Sequence, residues 1–226
     1  DKIQDTKSST GSVTIVKVKN EGKKGIIWQP FENLFSTGTE RYSESINIQR
    51  NLYKNLNGSK IWFEEINLEL GLLFRYGWTS SAKFGLVKMS RLENLSGKEM
   101  EVSVADGCRN VLPACIDSTL QNDNSTLIDA YKETDLDAES GLTFYIMSSV
   151  LTDRAEPSEG LLANTSWFTC GGKILLQENT PALFYNADGD THKRESVAVT
   201  KGERGASYIA RKSSLKAKAQ WSQVFD

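Results

Sequence analysis

LVKMSRLENLSGKEMEVSVADGCRNVLPACI, residues 86–116, is the stretch that decides the fold class of this chain. In its first part, Val87 and Met89 alternate with Lys88 and Ser90. Because neighbouring side chains of a strand point to opposite sides, this alternation predicts a strand whose apolar face holds Val87 and Met89.

A turn and a second strand follow in the same stretch. Residues 94–98 (NLSGK) have the composition of a turn, and after them Met100, Val102 and Val104 alternate with polar residues. Pro113 then argues against the continuation of a central strand. We therefore predict a β-hairpin with one apolar face, and such a hairpin needs a second layer of structure to cover that face.

The same pattern recurs through most of the chain, with turns at intervals of about 8–12 residues, as in β-sandwiches. No segment carries the apolar stripe of a long amphipathic helix, and residues 31–60 look irregular. The other predicted strands are 12–19, 26–28, 61–65, 68–76, 125–132, 142–152, 167–170, 174–176, 196–199, 206–211 and 221–225. We expect an all-β protein of two stacked antiparallel sheets, with few or no helices.

The bulk composition is typical of a soluble globular protein. The chain has 226 residues, of which 38% are hydrophobic, and a formal net charge of −2. No apolar run approaches the roughly 18 residues of a membrane span. The basic residues of the segment 193–218 interleave with predicted strand residues, which favours a solvated sheet face. We expect neither a membrane nor a nucleic acid as a partner.

The sequence offers little that could hold a metal ion or a cofactor. Cys108, Cys115 and Cys170 lack the paired spacing of zinc ligands, so we expect buried free thiols. His192 is the only histidine. The acidic turn at 186–190 lacks the remaining ligand spacing of an EF-hand. We therefore predict no metal site and no cofactor.

The chain reads as one domain. Residues 1–11 are polar and are expected to be a flexible N-terminus, and residues 12–226 are expected to form a single β-domain. The last residues resemble the beginning of a strand, which suggests a fragment of a longer polypeptide. The expected compartment is the cytoplasm, or the periplasm or the exterior if a signal peptide was removed. Four N-glycosylation sequons begin at Asn57, Asn94, Asn124 and Asn164.

The most distinctive charged pair is Glu64–Glu65, directly after the apolar residues 61–63. Its two carboxylates face opposite ways on a strand and cannot act on one substrate together, although either could pair with a carboxylate elsewhere or with Arg75. An exposed indole beside carboxylates and arginines suits a sugar ring, which offers C–H faces and hydroxyl edges. The candidate carbohydrate contacts are Trp62, Glu64, Glu65, Arg75, Trp78, Asp153 and Arg154.

Eight runs of the sequence carry a resemblance to a known family. They are WFEEIN at 62–67, GLLFRYGWTSS at 71–81, FGLV at 84–87, LEN at 92–94, VSVADG at 102–107, RNVLP at 109–113, LTDRAEPSE at 151–159 and KGERGASY at 201–208. In these runs the chain resembles the N-terminal β-domain of large cellobiose-phosphorylase-like proteins, over about residues 12–226. The likeness lies in strands and turns and includes no catalytic signature.

The resemblance implies a supersandwich of the galactose-mutarotase-like kind, built from two large antiparallel sheets. In such enzymes this domain precedes an (α/α)6 barrel, and the barrel carries the catalytic acid and the phosphate site. The resemblance therefore transfers no catalytic residue to this chain. It implies a homodimer as a possible assembly, in which the domain helps to wall the active site of a neighbour.

Three functions remain open at this point. The first is a non-catalytic, carbohydrate-associated domain of a glycoside phosphorylase or hydrolase-like protein, which shapes the substrate cleft or the subunit interface. The second is a stand-alone sugar epimerase or lyase that uses carboxylates such as Glu64, Glu65 or Asp153. The third is a carbohydrate-binding surface module without an attached enzyme.

Overall fold

The structure is a computed structural model, and it describes most of the chain in nine segments. They are residues 11–20, 23–32, 35–37, 40–42, 47–114, 116–150, 158–182, 197–217 and 220–225. Most of the predicted flexible N-terminus, the candidate residues Asp153 and Arg154, and His192 lie outside these segments.

The described residues form sixteen strands and confirm the prediction of an all-β fold. In chain order the strands are β1 (Gly11–Asn20), β2 (Lys23–Trp28), β3 (Phe35–Thr37), β4 (Glu40–Tyr42), β5 (Ile48–Lys54), β6 (Ile61–Asn67), β7 (Leu72–Ser81), β8 (Gly85–Asn94), β9 (Met100–Val111), β10 (Lys132–Leu136), β11 (Leu142–Val150), β12 (Ser158–Trp167), β13 (Lys173–Leu175), β14 (Val199–Lys201), β15 (Gly205–Leu215) and β16 (Gln220–Phe225). All of the pairings between them are antiparallel.

The strands are organised into three sheets, where two were expected. A seven-stranded sheet has the order β13-β15-β9-β1-β2-β3-β4, and a five-stranded sheet has the order β16-β8-β7-β6-β5. A four-stranded sheet, β12-β11-β10-β14, is the third. Its Tyr145 hydroxyl lies 2.7 Å from Ser207 Oγ on β15 and 2.9 Å from Ser166 Oγ, so hydrogen bonds join it to the seven-stranded sheet.

The seven-stranded and five-stranded sheets pack face to face and enclose the main core, which makes the fold a β-sandwich. We call the side of the five-stranded sheet that faces this core its inner face, and the opposite side its outer face. The buried core residues are Val16, Val18, Trp28, Leu70, Leu72, Phe74, Leu92, Val102, Val104 and Leu215. The prediction that Val102 and Val104 face the core is therefore confirmed.

The predicted hairpin at 86–116 is wrong, although both of its strands are present. β8 pairs with β7 and β16 in one sheet, whereas β9 pairs with β1 and β15 in the other. Asn94 explains the crossing, because its buried Nδ2 donates to the carbonyls of Lys98 at 2.7 Å and Leu215 at 3.0 Å. Residues 94–98 therefore connect two stacked layers and do not close a hairpin.

The face of β8 that points inward is also the reverse of the predicted one. Lys88, Ser90 and Asn94 are buried with Leu92 on the inner face, while Met89 is only partly buried. The Lys88 ammonium is fully buried and lies 2.6 Å from Asp106 Oδ1 on β9. An ion pair of this kind allows a lysine to occupy a position that the alternation assigned to solvent.

The strong alternation predicted at 68–76 is confirmed in its second half. β7 begins at Leu72, and Leu72 and Phe74 face the core. The residues before it form a turn in which Leu68 is exposed and Gly71 has φ +63°. Positive φ is favourable for glycine, so the sequence GL at 71–72 marks the start of the strand.

Between β9 and β10 the chain forms two short helices, α1 (Ser118–Asp123) and α2 (Ser125–Tyr131). The predicted strand at 125–132 is therefore wrong for all but its last residue. Asp117 caps α1 by accepting a hydrogen bond from the Leu120 amide at 2.7 Å, and Ile128 of α2 is fully buried. The sequence pattern was ambiguous here because a short segment with a single buried isoleucine fits a helix or a strand.

Two further predictions of strand position are wrong. Residues 31–60 were expected to be irregular, but they contain β3, β4 and β5. The strand expected at 167–170 lies earlier, because β12 ends at Trp167. No helix in the described segments is long and apolar enough to cross a membrane.

Candidate ligand-binding face

The outer face of the five-stranded sheet carries two parallel rows of side chains. The strand register places Asn51, Glu64, Arg75 and Arg91 in one line across β5, β6, β7 and β8, which we call the polar row. Two residues further along each strand lies the aromatic row, which consists of Tyr53, Trp62, Gly77 and Met89. Because alternate residues share a face, the rows are about 6.6 Å apart along the strands.

Glu64 is the centre of the polar row, and its carboxylate has four donors. Oε1 accepts hydrogen bonds from Asn51 Nδ2 at 2.9 Å and from the Tyr53 hydroxyl at 3.0 Å. Oε2 accepts from Arg75 Nε at 2.8 Å and also from Arg75 Nη2. The Glu64 side chain is only 3% exposed, so its charge is satisfied by neighbours rather than by water.

These contacts determine the pKa values of the row. Burial alone would raise the pKa of the Glu64 carboxyl, but hydrogen bonds from Asn51, Arg75 and Tyr53 outweigh burial and lower the pKa below its ordinary value of 4.5. The hydrogen bond to Glu64 in turn raises the pKa of the Tyr53 hydroxyl. Glu64 therefore stays ionised and Tyr53 stays protonated at neutral pH.

Two arginines lie directly opposite each other in this row. Arg75 on β7 pairs in register with Arg91 on β8, and their side chains are 33% and 34% exposed. Glu93 Oε1 lies 2.7 Å from Arg91 Nε, but this buried Nε makes no hydrogen bond of good geometry. Like charges at opposed positions are destabilising in a sheet, so this pair of arginines depends on nearby anions.

The aromatic row is shaped by a glycine. A Cβ atom at Gly77 would lie 2.6 Å from Trp62 Cδ2, which shows that the indole lies directly against the backbone of β7. Tyr53 flanks the indole on the other side and is 46% exposed. The Arg75 guanidinium carbon lies 5.4 Å from the centre of the Tyr53 ring, a distance typical of a cation–π contact.

Glu65, the neighbour of Glu64, lies on the inner face and is fully buried. Its Oε1 accepts from Trp28 Nε1 at 2.9 Å, and its Oε2 accepts from the Phe31 amide at 2.8 Å and from Arg50 Nε at 2.7 Å. Phe31 has a positive φ of 66°, which is unusual for a residue with a side chain. The Glu65 carboxylate thus stabilises a strained turn in the core and does not reach the outer face.

Trp78 also lies on the inner side. It packs against a cluster of Cys108, Phe168 and Ile209. Of the seven candidate contacts, the structure brings Trp62, Glu64 and Arg75 together on the outer face, with Trp62 two residues from Glu64 on β6. The proposed ligand contacts are therefore restricted to this face.

Sequence reasoning missed Tyr53 and Arg91 as members of the face. The signal for Arg91 was present, since Arg91 and Glu93 share one side of a strand two residues apart. No local pattern indicated Tyr53, because its strand lies in the segment that looked irregular.

The other described residues offer neither a metal-binding cluster nor a reactive thiol at Cys108. Among them, no three side chains of His, Cys, Asp or Glu converge in a way that could hold a metal ion. Cys108 is buried, and burial raises the pKa of its thiol to about 11, which keeps it protonated. Away from this face, the ring of Phe84 in the β7–β8 turn lies 6.5 Å, centre to centre, from the ring of Trp167 on β12.

The chain was compared with known proteins. No family model matches its sequence, and no curated protein is detectably similar to it.

Proposed function

We propose that this chain is a non-catalytic, carbohydrate-associated domain of a glycoside phosphorylase or hydrolase-like protein, and that the outer face of its five-stranded sheet contacts sugar. The observation that carries the proposal is the aromatic row beside the polar row. The resemblance adds the expected partners, which are an (α/α)6 barrel of the same protein and a second copy in a homodimer.

The two rows match the two surfaces of a sugar ring. An indole supported on Gly77 offers a flat apolar surface to ring C–H groups. The polar row lies two residues away along the strands. Its Arg75 and Arg91 guanidinium groups can donate hydrogen bonds to sugar hydroxyl groups. Because rows on one strand face are about 6.6 Å apart, one saccharide unit or two adjacent units can contact both rows.

The protonation state of Glu64 supports a binding role over a catalytic one. A general acid needs a raised pKa, whereas the pKa of Glu64 is lowered and its oxygens already accept four hydrogen bonds. Glu65 lies on the opposite face of the strand and cannot act on the same substrate. An epimerase or lyase that uses these carboxylates is therefore the weaker candidate.

The proposal is tested by calorimetric titration of the chain with neutral trisaccharides, namely cellotriose, xylotriose and maltotriose. We expect at least one to bind, and Trp62→Ala to weaken that binding by about tenfold because a stacking platform is lost. The matched control is Trp167→Ala, which removes an indole that is 36% exposed on another sheet. Trp62→Phe, which keeps a ring, should retain more affinity than Trp62→Ala.

Two results would overturn the proposal. One is the absence of binding to every saccharide tested, both here and in the acidic series below. The other is an equal loss in Trp62→Ala and Trp167→Ala, with both variants shown by urea unfolding to be folded. Release of a sugar product by the chain, abolished in Glu64→Gln, would favour the enzyme instead.

A further inference from the structure

The polar row contains more positive charge at its surface than neutral sugar recognition needs. Arg75 and Arg91 lie opposite each other on neighbouring strands, and each is about one-third exposed. Directly opposed like charges destabilise an antiparallel pair. An anion that binds between two opposed arginines on a half-exposed face therefore stabilises the pair, because it reduces the repulsion between their charges.

Glu64 and Glu93 leave some N–H donors of the Arg75 and Arg91 guanidinium groups without a hydrogen-bond acceptor among the described residues. Glu64 is bonded to Nε and Nη2 of Arg75, and Arg75 Nη1 makes no hydrogen bond to any described residue. The ion-pair contact of Glu93 with Arg91 is at Nε, and Nη1 and Nη2 of Arg91 make no hydrogen bond within the described segments. The donors that remain are Nη1 of Arg75 and both terminal nitrogens of Arg91, and the Arg91 pair can bind a carboxylate in bidentate fashion.

We infer that the saccharide recognised by this face is acidic, and that the carboxylate of a uronate unit binds between Arg75 and Arg91 while its ring lies towards Trp62. This inference rests on the proposed function, because it names the ligand class of the same face. Arginine is suited to this role, since its planar fork matches both oxygens of a carboxylate. The neighbouring Glu64 does not repel the ligand strongly, because its charge is already neutralised by Arg75 and buried.

The test compares acidic with neutral trisaccharides on the same protein. Trigalacturonate, trimannuronate and triguluronate are titrated alongside the neutral trisaccharides by calorimetry at pH 7, at low and at moderate salt. We expect the best uronate to bind at least about tenfold more tightly than the best neutral sugar, with the difference shrinking as salt increases. We expect Arg91→Gln to weaken uronate binding by about tenfold and neutral-sugar binding by a clearly smaller factor, because the glutamine amide still donates to a hydroxyl group but lacks the charge and the fork that a carboxylate needs.

Two variants serve as controls. Arg211→Gln removes an exposed arginine on the seven-stranded sheet and should leave uronate binding unchanged. Arg91→Lys keeps the charge but loses the fork, so it should recover only part of the affinity. Because Arg91 has one ion pair and lies at the surface, urea unfolding should show the Arg91 variants to be folded.

The outcomes separate this inference from the proposed function. If neutral sugars bind as tightly as uronates and Arg91→Gln has no selective effect, the inference is wrong and the proposed function stands. If neither series binds, both are wrong. If Arg91→Gln weakens neutral and acidic sugars equally, carboxylate recognition is also ruled out.

Discussion

Glu64 and Glu65 are adjacent carboxylates on one strand, and they contribute to opposite faces of the same sheet. On the inner face, Glu65 is fully buried and bonded to Trp28, Phe31 and Arg50. On the outer face, Glu64 is bonded to the polar row, whose arginines remain about one-third exposed. Chemically identical groups therefore hold the core together on one side and organise a surface on the other.

The comparison teaches how to separate stabilising polar residues from ligand-binding ones in a sandwich. Lys88 on the inner face and Asp106 on the facing seven-stranded sheet form an ion pair between the two sheets and bury both charges completely. The guanidinium groups of the outer face keep donors that no described residue uses. Buried polar groups that have all their hydrogen-bond partners specify how the sheets pack. Half-exposed polar groups with unused hydrogen-bond donors indicate a surface that could bind a ligand.

The largest effect is expected when the inner ion pair is broken. Lys88→Met leaves the Asp106 carboxylate buried without its cation, and we expect a loss of about 3–5 kcal/mol in the free energy of unfolding. Urea unfolding measures this loss, with the exposed Lys60→Met as the control. The double variant Lys88→Met/Asp106→Leu should be more stable than Lys88→Met alone, and if it is not, the pair does not contribute as argued.

A smaller loss is expected at Glu65. Glu65→Ala removes the acceptor of the Trp28 indole and of the Phe31 amide, and we expect a loss of about 3 kcal/mol, because each orphaned donor costs about 1–3 kcal/mol. Glu65→Gln keeps one acceptor oxygen and should lose less. The expectation fails if the two substitutions have the same unfolding midpoint in urea.

The aromatic row is tested through its glycine. Gly77→Ala places a Cβ 2.6 Å from the Trp62 ring and 2.8 Å from the Ile61 carbonyl, so we expect a loss of about 1–3 kcal/mol and a displaced indole. Gly97→Ala is the matched control, since a Cβ there meets no atom within 4 Å. Unfolding in urea measures stability, and indole fluorescence reports the displacement. Equal effects of the two substitutions would contradict the packing of Trp62 on Gly77.

The smallest effect is a dependence of stability on pH. Because the pKa of Glu64 is lower in the folded state than its ordinary 4.5, its ionised form adds stability that is present above about pH 4.5 and lost as the pH falls through the folded-state pKa. We expect Glu64→Gln to be less stable than the parent at pH 7 and to approach it towards pH 3. Urea unfolding at a series of pH values measures this. Parallel curves, or the same behaviour in Glu69→Gln, would contradict it.

The strands of this fold could be predicted from sequence, but their partners could not. Period-two alternation located the second strand of the opening stretch and residues 72–76 of β7 correctly, because both have one strongly apolar face. The hairpin was wrong because alternation does not state whether a turn joins neighbours in one sheet or crosses to another. That decision depends on Asn94 and its contact with Leu215, which is 121 residues away.

The candidate face was predicted only in part for the same reason. Trp62, Glu64 and Arg75 were proposed from local composition, and their register brings them together. Trp78 and Glu65 were equally plausible, but the sheet that packs on them is built from distant segments. The side of β8 that faces the core was misjudged because burial of Lys88 requires an anion on β9, and a single strand does not reveal such a partner.

The buried position of Asn94, in the connection between the two stacked sheets, would affect N-glycosylation if the chain were secreted through a eukaryotic pathway. Asn94 begins one of four sequons, yet its amide nitrogen is buried, and its two N–H groups are shared among three carbonyl oxygens within hydrogen-bond distance. An oligosaccharyltransferase can reach it only before the two layers have met, whereas the sequons at Asn57, Asn124 and Asn164 stay exposed afterwards. A glycan on Asn94 would therefore mark molecules that were modified before assembly and are unable to complete it.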